Sequence, residues 1–188
     1  LPFEADITAA VQSGGFAWIT VRADNVLSFA TIPPGAVVQE RSGPRQSYWH
    51  DFFNYAGIHR PVWLCVRPER CIEDVTLTTA FDGADGLVRY EAKASSGGSV
   101  RVKLYDAQGV PVAESGSGEA RIPRVHPWGP GDGYLYRAEF TLLDGEEVLD
   151  VYPVRVGVRT VEVRGEQLLV NGTPVYLRGF GMHEDIGV

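Results

Sequence analysis

Through the middle of this chain apolar and polar residues alternate with a period of two. Val75, Leu77 and Thr79 interleave with Asp74, Thr76 and Thr78, and Val88, Tyr90 and Ala92 with Arg89, Glu91 and Lys93. Val100, Val102 and Leu104 interleave with Arg101 and Lys103, and Val154, Val156 and Val158 with Arg155 and Arg159. A strand turns successive side chains to opposite faces, so each run predicts a strand packed on one side and solvated on the other. Turn-forming clusters separate the runs: Asp82-Gly83, Ser95 to Ser99, Gly116-Ser117-Gly118, Gly129 to Gly133 and Asp144-Gly145. Beyond a single turn near Asp6 to Val11, no segment has the 3.6-residue apolar period of an amphipathic helix. The pattern predicts an all-β chain.

Between Glu73 and Gly157 the runs and turns make about seven strands in about 85 residues, the size and spacing of an immunoglobulin-like sandwich. Upstream, Phe16 to Val21 and Val62 to Leu64 read as aromatic-rich strands. A long irregular segment from about Pro33 to His59 lies between them. Its Tyr48, Trp49, His50, Phe52, Phe53 and Tyr55 are too aromatic for a disordered linker. Downstream, Val161 to Phe180 predicts a hairpin turning at Gly165 and again at Asn171-Gly172, a dipeptide suited to a type I′ turn. That turn accounts for Asn171-Gly172-Thr173, which also has the form of a glycosylation acceptor.

Composition narrows the chemistry. The 188 residues include 34 glycines and prolines, about 18% against an average of roughly 12%, in keeping with many short strands. Seventeen basic and 24 acidic residues leave a net charge of −7, which argues against a protein that coats nucleic acid. The longest apolar run, Val62 to Val66, is far short of the ~20 residues a membrane-spanning helix needs, and no secretion signal opens the chain. It begins at Leu1 without a methionine, so a piece of a longer protein is expected. Cys65 and Cys71 read as reduced, largely buried thiols; a small disulfide loop doubling back at Pro68 is the alternative. The four histidines are too scattered for zinc spacing, and neither a phosphate loop nor a serine elbow is present. Trp128 and Tyr134-Leu135-Tyr136 read as core or corner residues of the sandwich, with stacking on carbohydrate as the sharper alternative.

Four collinear segments carry a family likeness. They are Thr31-Ile32-Pro33-Pro34-Gly35, the aromatic run from Gln46 to Val62, Pro127 to Tyr136, and Asn171 to Asp185. Together they resemble β-glucuronidases of glycoside hydrolase family 2. The resemblance implies three pieces: residues 1–71 as the later part of a jelly-roll, sugar-binding-like domain, 72–158 as a complete sandwich, and 159–188 as the start of a truncated (β/α)₈ catalytic barrel. A whole barrel needs ~250 residues. In this family a retaining pair of glutamates ~5–5.5 Å apart does the chemistry, with the acid/base glutamate following an asparagine. Here Asn25, Asn54 and Asn171 are the only asparagines and none precedes Glu, so no catalytic residue is expected within the chain.

By the same resemblance, Asp51 would reach over and hydrogen-bond the bound sugar, its carboxylate serving as an acceptor for hydroxyls; bracing the long loop is the alternative. His183 would contact substrate from the end of the first barrel strand, against a plain backbone-satisfied role. Met182 departs from the basic residue usual before that histidine. The implied parent hydrolyses β-D-glucuronides with no metal or organic cofactor, touches neither nucleic acid nor membrane, and is cytoplasmic. The chain alone would be inactive, and edges left unpaired in the partial jelly roll could pair between copies. Two rivals stand beside this reading: a carbohydrate-binding or adhesion module without a hydrolytic parent, and a galactosidase or galacturonidase of the same family.

Overall fold

A computed structural model describes residues 4–11, 14–49, 54–58 and 60–181. These residues fall into two units, one within residues 4–64 and the other Cys65–Phe180.

In the second unit the alternating runs become seven antiparallel strands: β3 (Ile72–Asp82), β4 (Asp85–Ala94), β5 (Ser99–Tyr105), β6 (Pro111–Ser115), β7 (Glu119–Ile122), β8 (Tyr136–Asp144) and β9 (Glu147–Val156). They form a three-stranded sheet, ordered β3-β4-β7, and a four-stranded sheet, ordered β6-β5-β8-β9. The chain crosses between sheets after β4, returns at β7 and crosses again before β8, as in an immunoglobulin-type sandwich. Val88, Val102, Leu104 and Val158, which the sequence marks as inward, are wholly buried in one cluster with Ala138, Phe140 and Leu142 of β8 and with Ile72, Ile122 and Tyr136. The expected all-β sandwich is observed.

The corner before β8 is fixed by tyrosine hydroxyls. Tyr136 Oη accepts the backbone N–H of His126 at 2.8 Å, and Tyr134 Oη accepts that of Ala107 at 3.0 Å. Tyr136 opens β8 and Tyr134 lies two residues before it, where such a hydroxyl ties the incoming loop to the sheet. Trp128 packs beside Gly157, where a Cβ would come within 2.8 Å of the Trp128 side chain.

A small antiparallel sheet follows: β10 (Val161–Arg164), β11 (Gln167–Val170) and β12 (Thr173–Pro174). Asn171 and Gly172 have φ of 53° and 74°, the two positive values a type I′ turn requires. From Val175 to Gly181 the backbone has no regular structure, and Tyr176, Leu177 and Phe180 face solvent.

The first unit departs from the sequence expectation in two places. The long segment expected to be irregular contains a hairpin, β1 (Gly35–Glu40) and β2 (Gly43–Tyr48), paired in register from Gly35↔Tyr48 to Glu40↔Gly43. Phe16 to Val21 and Val62 to Leu64, expected as strands, have no regular structure and expose Phe16, Trp18 and Trp63. Strand propensity sets a preference; a strand persists only where a neighbour completes its hydrogen-bond ladder, and neither run has one among the described residues. The short 3₁₀ turn Thr8–Ala10 occupies the place of the expected single turn.

The two cysteines do not pair. Cys71 is buried as a small apolar side chain at the head of β3, whereas Cys65 is exposed.

Candidate functional site

The two residues to which the sequence assigns substrate contact, Asp51 and His183, lie outside the described residues. What the structure defines around Asp51 is the framework on either side of it. Strand β2 carries the chain through Gln46, Ser47 and Tyr48 to Trp49. The Trp49 ring meets Phe29 edge to face, with centroids 5.1 Å apart at 80°. Such a pairing adds about 0.5–1.5 kcal/mol beyond the area it buries. On the far side, Asn54 and Asn25 clasp each other reciprocally. Asn25 Nδ2 donates to the Asn54 carbonyl at 2.8 Å, and Asn54 Nδ2 donates to the Asn25 carbonyl at 2.6 Å. Trp49 and Asn54, the described residues that flank Asp51 in sequence, are thus both anchored.

The Thr31-to-Gly35 segment stabilises the same hairpin from behind. Thr31 Oγ1 accepts the Ser28 N–H at 2.9 Å, and its hydroxyl lies 2.8 Å from the Ser28 carbonyl and 2.9 Å from the Pro33 carbonyl. Gly35 opens β1 against Leu27, where a Cβ would fall 2.7 Å from Leu27 Cδ1 and from the Ser47 carbonyl. Only glycine fits there. Leu27, the buried apolar side chain among the described residues of this unit, is tied to β2 through its N–H, which donates to Gln46 Oε1 at 2.8 Å. Sequence reading singled out neither Asn25 nor the Gln46 bond as an anchor. Side chains 29 and 19 positions apart leave no local signal that they meet.

Several acidic residues of the sandwich are occupied with structure. Arg121 of β7 bridges Asp82 and Asp85, the residues that flank the β3–β4 turn, with Nη1 2.9 Å from Asp85 Oδ2. Asp85 Oδ1 also accepts the Arg124 N–H at 3.0 Å, and that bond, followed by the Arg121 contact, holds its carboxyl below the usual range. Asp24 is lowered chiefly by the Val26 N–H, and Asp6 by Thr8. A glycosidic general acid needs the opposite shift, so these three are not candidates for one. Asp150 Oδ2 accepts the Ile72 N–H at 2.8 Å, and Asp144 pairs with Arg70 at 2.7 Å. Among the described residues no group of three His, Cys, Asp or Glu side chains could hold a metal ion.

The aromatic residues near the corner are occupied too. The His126 ring stacks on Tyr134 at 4.1 Å and 9°, with its Nε2 2.6 Å from Asp132 Oδ2. The Arg159 guanidinium covers the Trp128 ring at 4.4 Å. One face of each of these rings is thus taken by a contact within the corner.

Comparison with known proteins places these features in a family. Residues 71–159, the sandwich, match the glycosyl hydrolases family 2 description. The chain is 42% identical over 195 residues to a β-glucuronidase of Paenibacillus borealis, covering 98% of this chain and 33% of that protein. It is 37% identical over 210 residues to the human β-glucuronidase, covering 100% of this chain and 32% of that one. Among solved structures, the β-glucuronidase of Ruminococcus gnavus in complex with D-glucuronic acid superimposes with a TM-score of 0.78 at 35% identity, over 84% of this chain and 28% of that chain. The chain thus spans about a third of the length of the curated relatives it matches.

Proposed function

The chain belongs to glycosyl hydrolase family 2, and from that membership we propose that it is the scaffold portion of an enzyme that hydrolyses β-D-glucuronides with retention of configuration. The observation that supports this most is the extent of the likeness: it runs along nearly the whole chain, through the aromatic segment around Asp51 as well as the sandwich. A stand-alone adhesion module would need only the sandwich.

In this reading the acid/base and nucleophile glutamates belong to residues beyond these 188, since no asparagine here precedes a glutamate. Asp51, between the Phe29–Trp49 and Asn25–Asn54 anchors, presents a carboxylate that accepts hydrogen bonds from sugar hydroxyls. His183 offers a second polar contact to the same sugar. Both act by holding the pyranose in place for the reacting carboxyls, a positioning effect that can account for a large share of the rate.

The test is hydrolysis of a panel of aryl glycosides by the full-length enzyme that carries this chain. The β-D-glucuronide is expected to be the preferred substrate, and Asp51→Ala to lower kcat/KM about tenfold or more through loss of a charged hydrogen bond. Preference for the galactoside or galacturonide would overturn the reading, as would full activity of the Asp51 variant for that residue's role.

A further inference from the structure

The outer face of the four-stranded sheet differs in charge from the rest of the chain. Register fixes which side chains share it. Arg101, Lys103 and Tyr105 of β5 stand opposite Thr141, Glu139 and Arg137 of β8. Arg137 in turn faces Arg155 of β9, and Lys103 faces Glu114 of β6. The alternate residues Val102, Leu104, Ala138 and Phe140 are buried, so this row points away from the core. Four cations and two carboxylates thus collect on one face of a chain whose net charge is −7; Arg137 is ion-paired with Glu139, which leaves Arg101, Lys103 and Arg155 against Glu114. Arg101, Lys103 and Arg155 form no ion pair or side-chain hydrogen bond among the described residues.

Two further features organise the face. The Tyr105 ring gathers Arg137, whose Cζ lies 4.2 Å from its centroid, and Lys103, whose Nζ lies 5.8 Å away. An aromatic face holds cations close together without neutralising them. Beside them is a shallow concavity of about 220 Å³, lined by Arg101, Lys103, Glu114, Thr141 and Leu143.

We propose that this face binds a short oligosaccharide bearing uronate groups, so that the protein grips an acidic glycan away from the reacting bond. The choice of uronate rests on the glucuronidase reading. The choice of a glycan over nucleic acid rests on the surface. Guanidinium groups pair with carboxylates through two parallel hydrogen bonds, as they do with phosphates, so the other side chains of the face make the distinction. Glu114 supplies an acceptor that sugar hydroxyls can use and that repels a phosphate, and the Thr141 hydroxyl can pair with sugar hydroxyls beside it. Duplex DNA carries a charge every ~1.7 Å and would overrun four cations onto an acidic surface, whereas uronates are sparsely charged.

The experiment titrates the 188-residue chain with a short oligosaccharide containing alternating β-glucuronate, of the hyaluronan type. Controls are the same oligosaccharide with its carboxyls reduced to alcohols and a DNA oligonucleotide of equal charge. Saturable binding of the acidic form is expected, weakening with added salt, with the reduced form at least about tenfold weaker. Arg101→Glu with Lys103→Glu is expected to weaken the acidic ligand by at least about tenfold. Arg101→Gln with Lys103→Gln should weaken it in the same direction at an unchanged unfolding midpoint, which separates lost contact from lost fold. Equal binding of the reduced form, tighter binding of DNA, or wild-type affinity in both double variants overturns the proposal. The glucuronidase reading is judged separately, by the full-length enzyme's hydrolysis of a small aryl glucuronide, which these substitutions should leave unchanged. Small-substrate activity without glycan binding defeats the surface alone; binding without that activity defeats the enzymatic reading alone.

Discussion

At the scale of single residues, polar side chains that fasten backbone decide where the loops go. Tyr136 is 4% exposed, and its hydroxyl is the partner of the His126 N–H. Tyr136→Phe leaves that donor without its acceptor, at a cost of about 1–3 kcal/mol measured by denaturant unfolding near pH 7. Burial, the leading cause, raises the phenol above its ordinary 10.0, with the His126 hydrogen bond opposing. The folded state therefore holds the phenolic proton more tightly than the unfolded chain does. Its contribution is complete below pH 10 and is lost as pH rises through the raised value, so the Phe variant should lose less stability than wild type on the alkaline side. Asn171 plays a parallel part: Oδ1 accepts the Thr160 N–H at 3.0 Å and Nδ2 donates to the Trp128 carbonyl at 2.9 Å. Asn171→Gly, which keeps the positive φ, should cost about 1–2 kcal/mol for the two bonds lost.

At the scale of elements, Arg121 of β7 locks onto Asp82 and Asp85 at the β3–β4 turn, so one guanidinium links all three strands of the smaller sheet. Asp85 is depressed below its ordinary 3.8 by the Arg124 N–H and by Arg121. A depressed carboxyl adds stability above its unfolded pKa and loses it as pH falls through the folded value. Acid titration of the unfolding midpoint should therefore be shallower below about pH 4 in Asp85→Asn than in wild type. An identical acid limb in both would show that Asp85 contributes nothing. The same sheets show what the sequence could express. Strands β3, β4, β5 and β9 were legible because less exposed and fully exposed side chains alternate along part of each, with Val88, Val102 and Val156 at buried positions of that alternation. The β1–β2 hairpin was not legible. Gly43-Pro44-Arg45-Gln46-Ser47 has no apolar face to alternate, and the hairpin is held by its ladder and by the Arg45–Glu40 pair at 2.6 Å. Phe16 to Val21 gave the reverse error, an aromatic-rich run with no neighbouring strand among the described residues to complete it. Around Asp51 the aromatic run was visible, but its anchors Phe29 and Asn25 lie 20 or more residues from Trp49 and Asn54, beyond any local pattern.

At the scale of the whole molecule, the two units are unequal in what they bury. The cluster centred on Phe140, Leu104 and Val88 draws on both sheets and lies wholly within Cys65–Phe180. In the other unit Leu27 is buried while Phe16 and Trp18 are 103% and 95% exposed and Trp63 80%. Burial of apolar area is the main term that offsets chain entropy, at about 25 cal/mol per Å², so the units cannot have equal stability. Residues 65–180 expressed alone are expected to fold, with a cooperative transition at the midpoint of the main transition of the 188-residue chain. Phe140→Ala should lower that transition by about 3–5 kcal/mol in either context, because the cavity it leaves is enclosed by both sheets. Amide exchange should separate the units within the intact chain: slow across β4, β5 and β8, and fast across residues 14–34, where backbone groups have few ladder partners. Uniform protection across both units, or a 65–180 chain that stays unfolded, would mean that the sandwich depends on the hairpin unit for its stability.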